Sequence, residues 1–153
     1  MTAPRSIDLR NAVITRLETI SQANGFNTDI GASVLRGRRK YPLDKIPLPS
    51  LFVVSQTDAP PDKQSNPEQK RTRAYAIEAF LDADVGDYES LQDEVLHDMI
   101  SALTQTDAFV LDGLAIRATF GTAVLDVPEL DGTGIVTVNL PLTLSYPENY
   151  RRT

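Results

Sequence analysis

The sequence predicts an α+β domain in which an antiparallel or mixed β-sheet carries two amphipathic helices on one face. Apolar residues recur at helical spacing in two stretches, Ile7 to Ile20 and Leu91 to Leu103. Elsewhere they alternate with polar residues, most clearly from Val136 to Tyr146. That alternation is the mark of strands with one covered face and one wetted face. A chain of 153 residues is most simply one domain, residues 1–153, with enough chain to bury a core unaided.

The elements follow in the order α-β-β-β-α-β-β. Pro4 and Ser6 mark a helix start, with Ser6 as N-cap. Ile7, Val13, Ile14, Leu17 and Ile20 then form a stripe, and Gly25 supplies a left-handed stop after Asn24. Ile30, Ala32 and Val34 alternate, which predicts a first strand from Asn27 to Arg36. Pro42, Pro47 and Pro49 keep the next residues extended. Leu51-Phe52-Val53-Val54 reads as a buried strand. Residues 57–70 are polar with almost nothing to bury, and predict a long loop.

A strand from about Arg71 to Asp82 puts Tyr75, Ile77, Ala79 and Leu81 on one face. Asp87 or Ser90 caps a second helix, whose stripe is Leu91, Val95, Leu96, Met99, Ile100 and Leu103. Asp112-Gly113 is a turn, followed by a strand carrying Leu114, Ile116, Ala118 and Phe120. In the last strand Val136, Val138, Leu140, Leu142, Leu144 and Tyr146 share one face. Pro141 lacks a ladder donor, which predicts an edge strand or a bulge there.

Composition argues for assembly more than for chemistry. The chain has no Cys, no Trp and one His, so disulfides and thiolate metal sites are excluded. Its apolar runs are too short to span a membrane, and Met1-Thr2-Ala3-Pro4-Arg5 leads into a polar helical pattern unlike a secretory signal. These features lead one to expect a soluble protein made inside the cell. His97 adjoins Asp98 on the second helix, where neighbouring residues point apart, so it reads as an ordinary helix histidine. Asp82-Ala83-Asp84-Val85-Gly86-Asp87 resembles a calcium loop, but its glycine stands fifth where the sixth position requires it. It reads as an acidic turn entering a helix. Gly31 and Gly37 are too sparse for a phosphate-binding loop, and no Ser or Cys motif completes a triad. No cofactor, no metal and no enzyme activity are expected.

Charge is split along the chain. Residues 1–73 hold twelve Lys/Arg against seven Asp/Glu, and residues 74–153 hold three against fourteen, within a net charge of −6. The basic half concentrates in two clusters, Arg36, Arg38, Arg39 and Lys40, then Lys70, Arg71 and Arg73. Both flank predicted strands and are candidate interface residues. An acidic pI of about 4.7 argues against a dedicated nucleic-acid binder.

The stretch Leu9-Arg10-Asn11-Ala12-Val13-Ile14-Thr15-Arg16-Leu17, then Ala23-Asn24-Gly25-Phe26-Asn27-Thr28-Asp29-Ile30-Gly31, carries a resemblance. With Val34, Arg36-Gly37-Arg38 and Pro47-Leu48-Pro49-Ser50-Leu51-Phe52-Val53, it resembles tail terminator and related minor tail proteins of long-tailed bacteriophages. More loosely, the likeness reaches the second helix and the final strand. It implies a non-catalytic structural subunit that closes into a hexameric ring, caps the tail tube and meets the head–neck assembly in the virion. The implied partners are further copies of the chain, the tail tube protein and neck or connector proteins. DNA would pass through the lumen without being a specific ligand. The alternatives are another neck or tail-completion protein, or a small nucleic-acid-binding adaptor. A head-to-tail ring joins two different patches of each subunit. A basic patch facing an acidic one would favour that geometry and reject face-to-face pairing.

Overall fold

The computed structural model describes residues 4–36, 45–62, 66–83, 86–104, 111, 113–126 and 134–151. Helix α1, Arg5–Glu18, buries Leu9, Val13, Ile14 and Leu17 on one side, as the 3.6-residue repeat requires. Its N-cap position is Pro4, not Ser6, and no side chain of that residue caps it. The cap comes from afar: the Arg5 N–H donates to Glu148 Oε2 at 2.7 Å, placing a carboxylate at the positive end of the helix dipole. Gly25 is left-handed, at φ 90°, but it closes a separate short 3₁₀ turn, Gln22–Asn24.

The predicted strand from Asn27 to Arg36 is corrected. Ile30–Ala32 is a 3₁₀ turn, and only Val34–Arg36 forms a strand, β1. The turn is fixed by contact with α1. Gly31 N–H donates to Ile20 O at 3.1 Å, and a Cβ on Gly31 would stand 2.6 Å from the carbonyl oxygens of both Leu17 and Ile20. Local alternation yields there to a close backbone approach that glycine alone permits.

Strand β2 is Ser50–Ala59, β3 is Glu68–Asp82, and helix α2, Tyr88–Leu103, follows. Then come β4, Arg117–Phe120, β5, Val124–Asp126, and β6, Ile135–Asn149. The sheet runs β1-β2-β3-β6-β4, with β5 also on β6. β1 and β2 are parallel, and the other pairs are antiparallel. The fold is therefore α+β with a mixed sheet, as the patterns predict, plus the strand β5, which they miss.

Two further expectations change. The polar stretch 57–70 is strand at both ends: β2 reaches Ala59 and β3 starts at Glu68, so the connection narrows to 60–67. Thr57, Asp58 and Ala59 pair with Ala74, Arg73 and Thr72 of β3, whereas Glu68, Gln69 and Lys70 pair with β6. β6 is not an edge strand, because it pairs with β3 on one side and with β4 and β5 on the other. Pro141 is tolerated by position. Its carbonyl accepts from Gly121 N–H at 2.9 Å, so its missing N–H faces the break between β4 and β5, where no ladder bond is forfeited.

The main core lies between the helices and one sheet face. Val95, Met99, Ala102 and Leu103 of α2 join the α1 stripe over Leu51, Val53, Tyr75, Ile77, Leu81 and the apolar face of β6. A smaller cluster on the opposite sheet face contains Ile46, Phe52 and Phe80, the two rings meeting edge to face at 5.3 Å.

Candidate interaction surfaces

Arg36, the one described member of the first basic cluster, stands apart from the second cluster. Arg36 ends β1, and its guanidinium donates to Asn11 Oδ1 on α1. Arg38, Arg39 and Lys40 lie outside the described residues. Arg36 pairs with Val53, and Val53 with Ile77, so Arg73 stands two strands across and four residues along. Strand spacing and rise put their backbones roughly 17 Å apart.

Of the second cluster, Lys70 is exposed. Arg71 and Arg73 turn inward onto one carboxylate. Arg71 Nε donates to Asp58 Oδ1 at 2.6 Å, and Arg73 Nε to Asp58 Oδ2 at 2.9 Å. The Tyr146 hydroxyl also donates to Asp58 Oδ2. Arg71 further reaches Gln69 Oε1 at 2.9 Å and the Asp58 carbonyl at 3.2 Å, and its Cζ lies 5.9 Å from the Tyr150 ring centroid. Burial by itself would raise the Asp58 pKa. The bonds from Tyr146 and Arg71 and the charges of Arg73 and Arg71 outweigh it and hold the carboxyl below its ordinary 3.8. Burial, then the bond to Asp58, pushes the Tyr146 phenol well above its ordinary range.

A β-bulge creates this arrangement. Ser55 pairs with Tyr75, but Thr57 pairs with Ala74, leaving Gln56 as the extra residue. Without it Asp58 would stand opposite Thr72, on the other sheet face. With it Asp58 stands opposite Arg73 and shares the face of Arg71 and of Tyr146, which is directly across from Arg71.

Acidic side chains collect at the other end of the sheet. Asp82 ends β3, and Asp87, Glu89, Asp93 and Glu94 are exposed around the start of α2. Arg73 and Asp82 are nine residues apart on one strand, about 30 Å. Asp87 caps α2: its Oδ1 accepts from Ser90 N–H at 3.1 Å and its Oδ2 from Ser90 Oγ at 2.7 Å. The Ser90 hydroxyl and then its N–H lower the Asp87 pKa. The acidic turn thus serves as a helix cap. Among the described residues no group of three His, Asp or Glu stands close enough to hold a metal.

His97 is exposed on α2, with Nδ1 3.4 Å from Asn27 Nδ2 and 3.5 Å from Ser101 Oγ. Asn27 is not a nucleophile, and the contacts of the ring among the described residues include no carboxylate to orient it toward the Ser101 hydroxyl. Its sequence neighbour is the more consequential residue. Asp98 is 1% exposed and accepts from Asn27 N at 3.0 Å, Asn27 Nδ2 at 3.1 Å, Thr28 N at 2.8 Å and Thr28 Oγ1 at 2.7 Å. It fastens the segment leaving α1 to α2. Gln92, 2% exposed, donates to Asp126 O at 2.8 Å and Thr137 O at 3.1 Å, fastening β5 and β6 to the same helix. Both roles escape a motif search, although a polar residue at Val95 − 3 or Val95 + 3 on an apolar helix face is a readable signal.

No family model matches the chain, and no curated protein matches it. Among solved structures, a chain from the virion of a native gene transfer agent particle aligns with a TM-score of 0.53 and 13% identity, over 91% of this chain and 94% of that one. At that identity the likeness is one of fold, and it extends over nearly the whole of both chains.

Proposed function

We propose that this chain is a structural subunit of a phage-like virion, a tail terminator that closes into a hexameric ring, caps the tail tube and joins it to the head–neck assembly. The observation that carries this reading is the shared fold with a virion chain over nearly full length. The resemblance of residues 9–53 to tail terminators supports it independently. Self-association joins the first basic cluster, Arg38, Arg39 and Lys40, of one copy to the acidic start of α2 in the next. Neighbouring virion proteins stack on the ring, and DNA passes through it.

Sedimentation velocity of the purified chain tests the reading, with the double variant R38E/R39E beside it. A hexamer that the charge reversal weakens is the expected outcome. Assembly unchanged by the reversal would remove the charge-matched interface. A chain monomeric alone and with tail tubes would remove the ring.

A further inference from the structure

We propose that Arg71, Arg73 and Tyr146 form an oxyanion-binding site of the phosphate class, which Asp58 occupies from within the chain. Three donors on two strands converge on the two oxygens of one carboxylate, Arg71 on Oδ1 and Arg73 and Tyr146 on Oδ2. Guanidinium forks engage carboxylate and phosphate with the same geometry. The donors are set by the sheet itself: Arg71 and Arg73 are two residues apart on one face of β3, and Tyr146 faces Arg71 across the ladder. The occupant is set by a separate device, because only the extra residue Gln56 turns Asp58 to that face. The site is not sealed. The Arg71, Arg73 and Asp58 side chains retain 18%, 21% and 20% of their exposure, so a small anion can reach the guanidinium groups once the carboxylate is gone.

The consequence concerns the second basic cluster. While Asp58 is in place, Arg71 and Arg73 are withheld from other anions, nucleic-acid phosphates included. In a ring that DNA traverses, this keeps two guanidinium groups from gripping the backbone. That purpose rests on the proposed function, whereas the binding chemistry does not.

The test is anion rescue of D58A. Thermal unfolding is followed in sodium phosphate and in sodium chloride at matched ionic strength, for the wild type, D58A and D58A/R71A/R73A. At a concentration several times its Kd, phosphate should raise the D58A midpoint over chloride by about 3 °C more than it raises that of the wild type or the triple variant, which feel only its general salting-out effect. If D58A is unfolded in chloride, refolding in phosphate is the equivalent result. Equal responses of D58A and the wild type, or a D58A that stays unfolded in both salts, overturn the proposal. A short DNA duplex distinguishes the source among rescued variants. Tighter duplex binding by D58A, with a salt slope steeper by about 1–2, assigns the site to nucleic-acid phosphate, and its absence assigns it to a free anion. Neither result depends on ring formation.

Discussion

Replacing Asp98 by alanine should be among the most damaging single changes in this chain. The carboxylate is 1% exposed and accepts from both the backbone and the side chain of Asn27 and of Thr28. Those donors do not lose equally. Asn27 is exposed, so its two donors can turn to water. Thr28 is half-buried, and its N–H and hydroxyl are left with poor replacements. Two stranded donors at about 1–2 kcal/mol each, on bonds strengthened by the carboxylate charge, give a loss of about 3 kcal/mol. For a chain of this size that is a fall of roughly 6–12 °C in Tm. Urea unfolding followed by far-ultraviolet circular dichroism measures it, since the chain has no Trp. T28V keeps the backbone bond and loses the hydroxyl, so it should cost about 1 kcal/mol. Because the two residues share bonds, D98A/T28V should be less damaging than the sum of the single variants. If D98A lies within 1 kcal/mol of the wild type, or if the two effects simply add, the reasoning fails.

Gly31→Ala should destabilise by about 2 kcal/mol or more, because both atoms its Cβ meets at 2.6 Å are backbone carbonyl oxygens; the same urea series checks it. The Asp58 cluster predicts a pH dependence. Its folded pKa lies below 3.8, so its stabilisation is present above pH 4 and is lost as pH falls through the folded value. An acid titration of Tm should therefore be shallower in D58N than in the wild type. At the other extreme Tyr75 and Tyr146 both have raised pKa values. Their contribution is present below pH 10 and is lost as pH rises beyond it, so Y146F should flatten the alkaline limb.

Local physics made most of the fold legible. The α1 stripe, the Asp87 cap, the apolar face of β3 and the six apolar positions of β6 are written in single stretches of chain, and each forms as its period requires. What stayed hidden depends on distant partners. Glu148 caps α1 from 143 residues away, so Ser6 looked like the cap. Gly31 meets the end of α1, a contact that local alternation, which reads as a strand, does not contain. Thr57, Asp58 and Ala59 looked like loop because their stabilisation comes from pairing with β3 and from two arginines, not from burying apolar surface. Pro141 reads as an edge or a bulge because its neutral position, opposite the break between β4 and β5, is a property of the assembled sheet.

The candidate surface was legible in a cruder sense. The run Lys70-Arg71-Thr72-Arg73 reads as free positive charge in one dimension. In the folded chain two of those three cations are bound to Asp58, which only a bulge at Gln56 brings to them. The acidic half survives the translation better. Asp87, Glu89, Asp93 and Glu94 are close in sequence, sit on the first turns of one helix and remain exposed together.

The central claim, a subunit that closes into a ring, is tested most directly by negative-stain imaging of the purified chain, alone and mixed with polymerised tail tubes. The account predicts closed sixfold rings, free or seated on tube ends. Particles that remain single subunits in both preparations, with tube ends left bare, would contradict it.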